Sequence, residues 1–188
     1  MARPRSEDRR NAILMATTEL IAEQGLGAPT AAIAKRAGVP NGSIFTYFKT
    51  KRDLLNVLYI ELSREMTDTV LARMPAGGDI RAQFHHLWET WTSWGAANLS
   101  KRRAQTLLNV SDLVTEHNRN TAYEYADAVY ELFRRASARG ALRNSPTRYI
   151  GGLVHGLAET TMDFIVRNPR KAQQFREAGF EAAWRMLN

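Results

Sequence analysis

Thr30-Ala31-Ala32-Ile33-Ala34-Lys35-Arg36-Ala37-Gly38-Val39-Pro40-Asn41-Gly42-Ser43-Ile44-Phe45-Thr46-Tyr47 is the stretch that decides the fold. Two short helices that cross steeply must touch at a small residue, and Ala34 supplies one. The turn between them needs a residue that tolerates positive φ, and Gly38 supplies it. Pro40 disfavours a helical Val39, so the two helices cannot merge. Val39 and Ile44 are the apolar pins that hold the second helix, Asn41 to Phe48, against the first. The spacing of Ala34, Gly38 and Ile44, four and then six residues, is that of a helix-turn-helix.

Helical periodicity continues on both sides of this stretch, and no segment alternates with the period of a strand. Upstream, Ser6 is a good N-cap with Glu7 and Asp8 behind it, and Ile13, Leu14, Thr17, Leu20 and Ile21 form one stripe that ends at Gly25. Downstream, Thr50 and Asp53 read as a capping box. It opens a long helix carrying Leu54, Leu55, Leu58, Leu62, Met66 and Val70, which Met74-Pro75-Ala76-Gly77-Gly78 breaks. Asp79 caps a fifth helix with the stripe Phe84, Leu87, Trp88, Trp91 and Trp94. A sixth is expected from about Lys101 to Glu116, burying Leu107, Leu108 and Leu113. A seventh is expected from a cap at Thr121 with Glu124 to Gly140. Ser145-Pro146 opens the eighth with proline at its first position. Asn168-Pro169 ends it and starts the ninth, which carries Phe175 and Trp184. The expectation is an all-α chain of about nine helices, with a three-helix head over residues 1–50 and a helical body over residues 51–188.

The composition narrows the chemistry. The 188 residues contain no cysteine, which excludes disulfides, zinc–thiolate sites and thiol nucleophiles. There is no apolar run long enough to span a bilayer. Met1 to Arg10 is basic and polar with no apolar segment, unlike a signal peptide, so a cytoplasmic location is expected. The net charge of +7 is uneven: residues 1–52 carry nine Lys/Arg against four Asp/Glu, a net of +5, and the remainder is near neutral. A basic head on a neutral body suits a polyanion at one end. Arg3, Arg5, Arg9 and Arg10 are open to two readings, a solvated tail or an arm on phosphate or in a minor groove.

Residues 9 to 55 carry a family resemblance. Arg9-Arg10-Asn11-Ala12-Ile13, then Ile33-Ala34-Lys35-Arg36-Ala37-Gly38-Val39, then Ser43-Ile44-Phe45-Thr46-Tyr47-Phe48-Lys49-Thr50-Lys51 resemble the N-terminal domain of TetR-family transcriptional regulators. The resemblance covers about a quarter of the chain; the remaining helices agree with that family only in number and length. It implies an all-α homodimer with a ligand-binding body, acting on double-stranded DNA at a pseudo-palindromic operator as a repressor released by a small apolar or aromatic effector. It implies phosphate contacts from Thr30 and Lys51, and a DNA-facing surface of Asn41, Gly42, Ser43, Thr46 and Tyr47. Phe45 and Ala31 depart from the family pattern. Phe45 stands where a tyrosine hydroxyl commonly reaches phosphate, and Ala31 where a longer polar side chain can read a base. Thr30 and Asn41 are each open to a second reading as simple N-caps.

The body offers an aromatic stripe of a kind that is more often core than the wall of an effector site, and the family resemblance raises the second reading. Phe84, Trp88 and Trp91 belong to it, with Tyr59, Met66, Leu108 and Tyr125 as further wall and Asp112, His155 and Glu159 as polar groups that could orient a guest. Asp112 and Glu159 argue against a strongly anionic effector. His155 and Glu159 are four apart on one helical face and read as a mutual pair before a metal site. His85 and His86 diverge too far around a helix to be joint ligands. No metal site, no cofactor, and no nucleophile–base arrangement is readable, so a regulator is expected and an enzyme is not; a nucleic-acid scaffold without an effector is the alternative. Gly152 and Gly156, with Gly151, sit inside a helix, where each costs about 1 kcal/mol relative to alanine. Close helix approach would offset that, either within one subunit or across a dimer. Phe175 and Trp184 are the expected interface residues of the final helix.

Overall fold

The computed structural model describes residues 3–77 and 79–188. Met1, Ala2 and Gly78 lie outside the described residues, as do the side chains of Arg3, Pro4 and Arg5. The basic arm expected at the N-terminus is therefore described, as side chains, only at Arg9 and Arg10.

Among the described residues the chain forms ten α-helices, two 3-10 turns and no strand. They are α1 (Arg3–Gln24), α2 (Thr30–Ala37), α3 (Ile44–Tyr47), α4 (Lys51–Leu71), α5 (Ile80–Ala97), α6 (Leu99–Asn109), α7 (Glu116–Tyr125), α8 (Asp127–Ala136), α9 (Thr147–Arg167) and α10 (Ala172–Leu187). The 3-10 turns are Asn41–Ser43 and Pro169–Lys171. The all-helical architecture agrees with the periodicity. Ten helices replace nine because the segment after α5 breaks twice.

The first break has a local cause. The expected sixth helix stops at Asn109, since Ser111 Oγ accepts the Leu113 N–H at 3.1 Å and so competes with helix continuation. Thr115 then caps the next helix, its Oγ1 accepting the Asn118 N–H at 3.2 Å. Thr121 is not a cap; it lies inside α7, and its hydroxyl donates to the His117 carbonyl. Leu113 is 39% exposed rather than core. The second break, at Ala126, has neither glycine nor proline. Upstream, α1 reaches back to Arg3, so Ser6 is interior. Pro4 fits that first turn, where no N–H is needed. Pro146 occupies the N-cap place of α9, one residue before the helix.

The residues form two compact units, Met1–Ser63 with Asn98–Ala122, and Arg64–Ala97 with Tyr123–Asn188. In the first, Ile13, Leu20 and Ile21 of α1, Ile33 and Ala34 of α2, Ile44, and Leu54, Leu55 and Leu58 of α4 share one core with Ala104 and Leu108 of α6. Each large side chain buried there contributes about 1.5–3 kcal/mol. Thr17 and Thr18 are buried because their hydroxyls return to the Ile13 and Leu14 carbonyls at 2.7 and 2.9 Å. In the second, Phe84, Leu87 and Trp88 of α5 meet Leu132 and Phe133 of α8, Val154, Ala158 and Met162 of α9, and Phe180, Ala183 and Leu187 of α10. No described helix is long and apolar enough to cross a membrane.

Candidate nucleic-acid interface

The turn between α2 and the recognition segment is built as the residue types require. Gly38 has φ +66°, and the Val39 N–H returns to the Ala34 carbonyl at 3.0 Å. A Cβ at Gly38 would meet nothing within 4 Å, so the glycine answers backbone conformation and not crowding. Ala34 is buried at the crossing, and Ile44 is fully buried beneath the second helix. The recognition segment opens as a 3-10 turn, Asn41–Ser43, closed by the Ser43 N–H on the Pro40 carbonyl at 2.8 Å. It becomes α-helical only at Ile44–Tyr47, and Phe48 is already extended.

The exposed surface of this segment consists of Asn41, Gly42, Phe45 and Thr46, with Ser43 and Tyr47 half-buried. Phe45 stands out at 48% exposure, an apolar ring with no fold-internal reason to face water. On α2, Ala31 is exposed and Thr30 half-buried. Pro29 holds the N-cap place of α2 without a side-chain cap bond, and Pro40 does the same before the 3-10 turn. Neither Thr30 nor Asn41 is therefore an N-cap. The capping box does form: the Thr50 N–H donates to Asp53 Oδ2 at 3.0 Å and the Asp53 N–H to Thr50 Oγ1 at 3.1 Å.

Lys51 begins α4 and donates from Nζ to the Leu26 carbonyl at 2.8 Å, tying α4 to the turn before α2. Partial burial holds its ammonium below the usual lysine range. Other cations of the head are committed to the fold. Arg36 binds Glu19 and Glu23 of α1 at 3.1 and 3.0 Å, which depresses the Glu23 pKa. Arg10 pairs with Glu61 at 2.9 Å and lies over the Phe48 ring. Arg52 donates to the Leu113 carbonyl. Counting charges along the sequence misses these assignments, because the partners are 13 to 61 residues away. Arg9, Lys35 and Lys49 are exposed.

The residues expected around an effector divide between the units. Tyr59 and Leu108 are buried in the first core, and Asp112 is exposed in the α6–α7 turn. Met66, Phe84, Trp88, Trp91, Tyr125, His155 and Glu159 belong to the second unit. Phe84 is wholly buried among Trp88, Phe133, Phe180 and Trp184. Trp88 is equally buried; its indole donates to the Arg176 carbonyl at 2.9 Å, and a Cβ at Gly179 would come within 2.7 Å of its ring. Both are thus core members. Trp91 stacks on His155 with centroids 5.5 Å apart, and His155 Nε2 lies 4.0 Å from Glu159 Oε1, within ion-pair but not hydrogen-bond distance. Tyr125 is 45% exposed under the Arg64 guanidinium, and Met66 is half-buried. Among the described residues no group of three or more His, Cys, Asp or Glu could hold a metal ion.

On α9 the glycines differ. A Cβ at Gly151 would lie 2.7 Å from the Tyr130 ring, a close approach inside this chain. Gly152 and Gly156 face open space, on an exposed face with Tyr149 and Phe164. Phe175 packs on Phe164 at 5.3 Å between centroids, and Trp184 stacks on Phe180 at 6.5 Å.

Known proteins share this architecture. Residues 13–58 match the family described as bacterial regulatory proteins, tetR family. A crystal structure from Shewanella sp. PV-4, described as a tetR family transcription regulator, is 30% identical, covers 94% of this chain and 96% of its own, and superposes with a TM-score of 0.84. The HTH-type transcriptional regulator BetI of Escherichia coli O139:H28 is 41% identical over 69 residues, a match spanning 36% of this chain and only 35% of BetI. The regulator FadR of Bacillus subtilis, solved in complex with stearoyl-CoA, shares the fold at a TM-score of 0.69 and 20% identity, covering 92% of this chain and 96% of its own.

Proposed function

The chain belongs to the tetR family of transcriptional regulators, and from that premise we propose that it is a repressor that binds a pseudo-palindromic operator as a homodimer and leaves it when a small effector binds. Residues 1–50 act as the DNA-binding domain, and residues 51–188 bind the effector and make the dimer. The observation that carries the reading is the Ala34–Gly38–Ile44 turn presenting Asn41, Gly42, Phe45 and Thr46 to solvent. Thr30 and Lys51 flank that surface as phosphate contacts, and Ala31, Ser43 and Tyr47 complete it. Phe45 cannot donate a hydrogen bond, so its exposed ring serves a thymine methyl or a sugar. The protein acts in the cytoplasm.

One short recognition segment reads only a few base pairs, so useful specificity needs two heads related by a twofold axis. The exposed α9 face around Gly152 and Gly156, with Phe175 and Trp184 of α10, is the proposed dimer surface. The effector is apolar or aromatic and held by the second unit around Trp91, His155 and Glu159, with Met66 and Tyr125 as further candidate contacts. FadR of B. subtilis, with its stearoyl-CoA, gives a precedent for a ligand in this fold. Effector and operator oppose each other reciprocally, by the same factor in both directions. Selection of bound sequences from a random duplex pool tests the reading. An inverted repeat is expected; recovery of unrelated sequences refutes it.

A further inference from the structure

The first unit contains a polar cluster that its apolar core does not require. Asn56, on α4, is only 6% exposed. Its amide nitrogen donates to the Arg52 carbonyl at 2.7 Å and to the Leu113 carbonyl at 2.8 Å. Its Oδ1 accepts the Thr115 N–H at 2.9 Å and the Asn118 side-chain amide at 2.6 Å. Every hydrogen-bonding position of the amide is filled. One turn earlier, Arg52 donates from Nε to the Leu113 carbonyl at 3.1 Å. One turn later, Tyr59 lies beneath the Arg119 guanidinium at 5.9 Å. That guanidinium donates to the Asn109 and Ser111 carbonyls, each at 2.6 Å.

Positions 52, 56 and 59 share one helical face. That face of α4 meets the turn between α6 and α7 and the first residues of α7. These bonds join α4 to a turn 57 residues further along the chain. Their position gives them a consequence. Only Phe48, Lys49 and Thr50 separate Tyr47 of the recognition segment from the start of α4. Buried amide networks that are fully satisfied fix one arrangement of their elements.

We propose that Asn56 is a positioning residue for DNA binding: by locking the first turns of α4 to the α6–α7 turn, it sets where the recognition segment sits without touching DNA. The inference rests on the DNA-binding reading above. Any shift of the turn is then felt at Tyr47, and any loss of the lock loosens specific contacts while leaving general attraction to phosphate intact.

The test compares full-length wild type with Asn56→Asp and Asn118→Ala. Asn56→Asp keeps the shape and the acceptor oxygen but turns two donors into an oxygen facing two carbonyls. Asn118→Ala removes one bond and is the milder change. Each protein is titrated with the duplex that wild type selects and with an unrelated duplex, below its melting temperature. Asn56→Asp should weaken the selected duplex about tenfold or more and Asn118→Ala about threefold, with the unrelated duplex changed less than about twofold. A purely structural role lowers the folded fraction and weakens both duplexes by one factor. An equal loss on both, or no loss on the selected duplex, overturns the proposal. If Asn56→Asp does not fold, the ratio for Asn118→Ala decides by the same criterion. A wild type that selects no duplex refutes the DNA-binding reading, and this inference with it.

Discussion

Replacing Lys51 by methionine separates two roles that meet in one side chain. The first is the bond from Nζ to the Leu26 carbonyl at 2.8 Å. The second is the proposed phosphate contact. Methionine keeps the apolar stem and removes the charge. A hydrogen bond from a charged group is worth about 1.5–3 kcal/mol when well enclosed. Lys51 is half-exposed, and solvent screening brings the figure down to about 1 kcal/mol. For a chain of this size that lowers Tm by about 2–4 °C. On DNA, the homodimer loses two phosphates, one from each head, which flattens the log–log salt dependence by about 1.8. Over a fourfold rise in salt, those two phosphates account for roughly a twelvefold change in affinity. Fluorescence anisotropy of a labelled operator at several salt concentrations reads the slope, and a thermal melt reads the stability. A lower Tm with an unchanged slope would mean that the ammonium serves Leu26 alone, and the phosphate assignment would fail.

Four substitutions probe other parts of the molecule. Tyr47→Ala or Thr46→Ala should change which duplexes are selected, at about 1–3 kcal/mol for each interaction with a base that the truncation removes; identical preferred sites would count against direct readout. Gly140→Ala drives a Cβ into the Leu187 carbonyl oxygen, and Leu187 is fully buried. The expected loss of about 1–3 kcal/mol should appear in urea denaturation, and an unchanged midpoint would contradict that packing. Phe164→Asp, at a side chain already 46% exposed, should leave the fold intact and produce monomers in sedimentation velocity; a dimer in the variant would move the proposed interface elsewhere.

The helix-turn-helix is legible in the sequence because every requirement is local. Ala34, Gly38, Pro40 and Ile44 act within a dozen residues, and the Thr50–Asp53 capping box closes on itself. The stretch after α5 is not legible in that way. There, the turn is held by Arg52 and Asn56 from far back in the sequence and by Arg119 from ahead. Apolar spacing alone runs one helix through Ser111 and Leu113, where hydrogen bonding stops it. The head's charge is visible as a sum, but its distribution is not. Arg36 and Arg10 are committed to glutamates of neighbouring helices, which leaves Lys35 and Lys49 as exposed lysines of the head. The aromatic stripe of α5 is legible as a unit. Only packing against Gly179 and Phe133 identifies Trp88 and Phe84 as core.

The central claim is that the surface around Phe45 and Thr46 reads sequence. The most direct test is competition at near-physiological salt between the duplex that the protein selects and the same duplex with its bases scrambled. The account predicts that the selected duplex binds at least about a thousandfold more tightly. A ratio near one would contradict it, because attraction to phosphates alone treats the two duplexes alike.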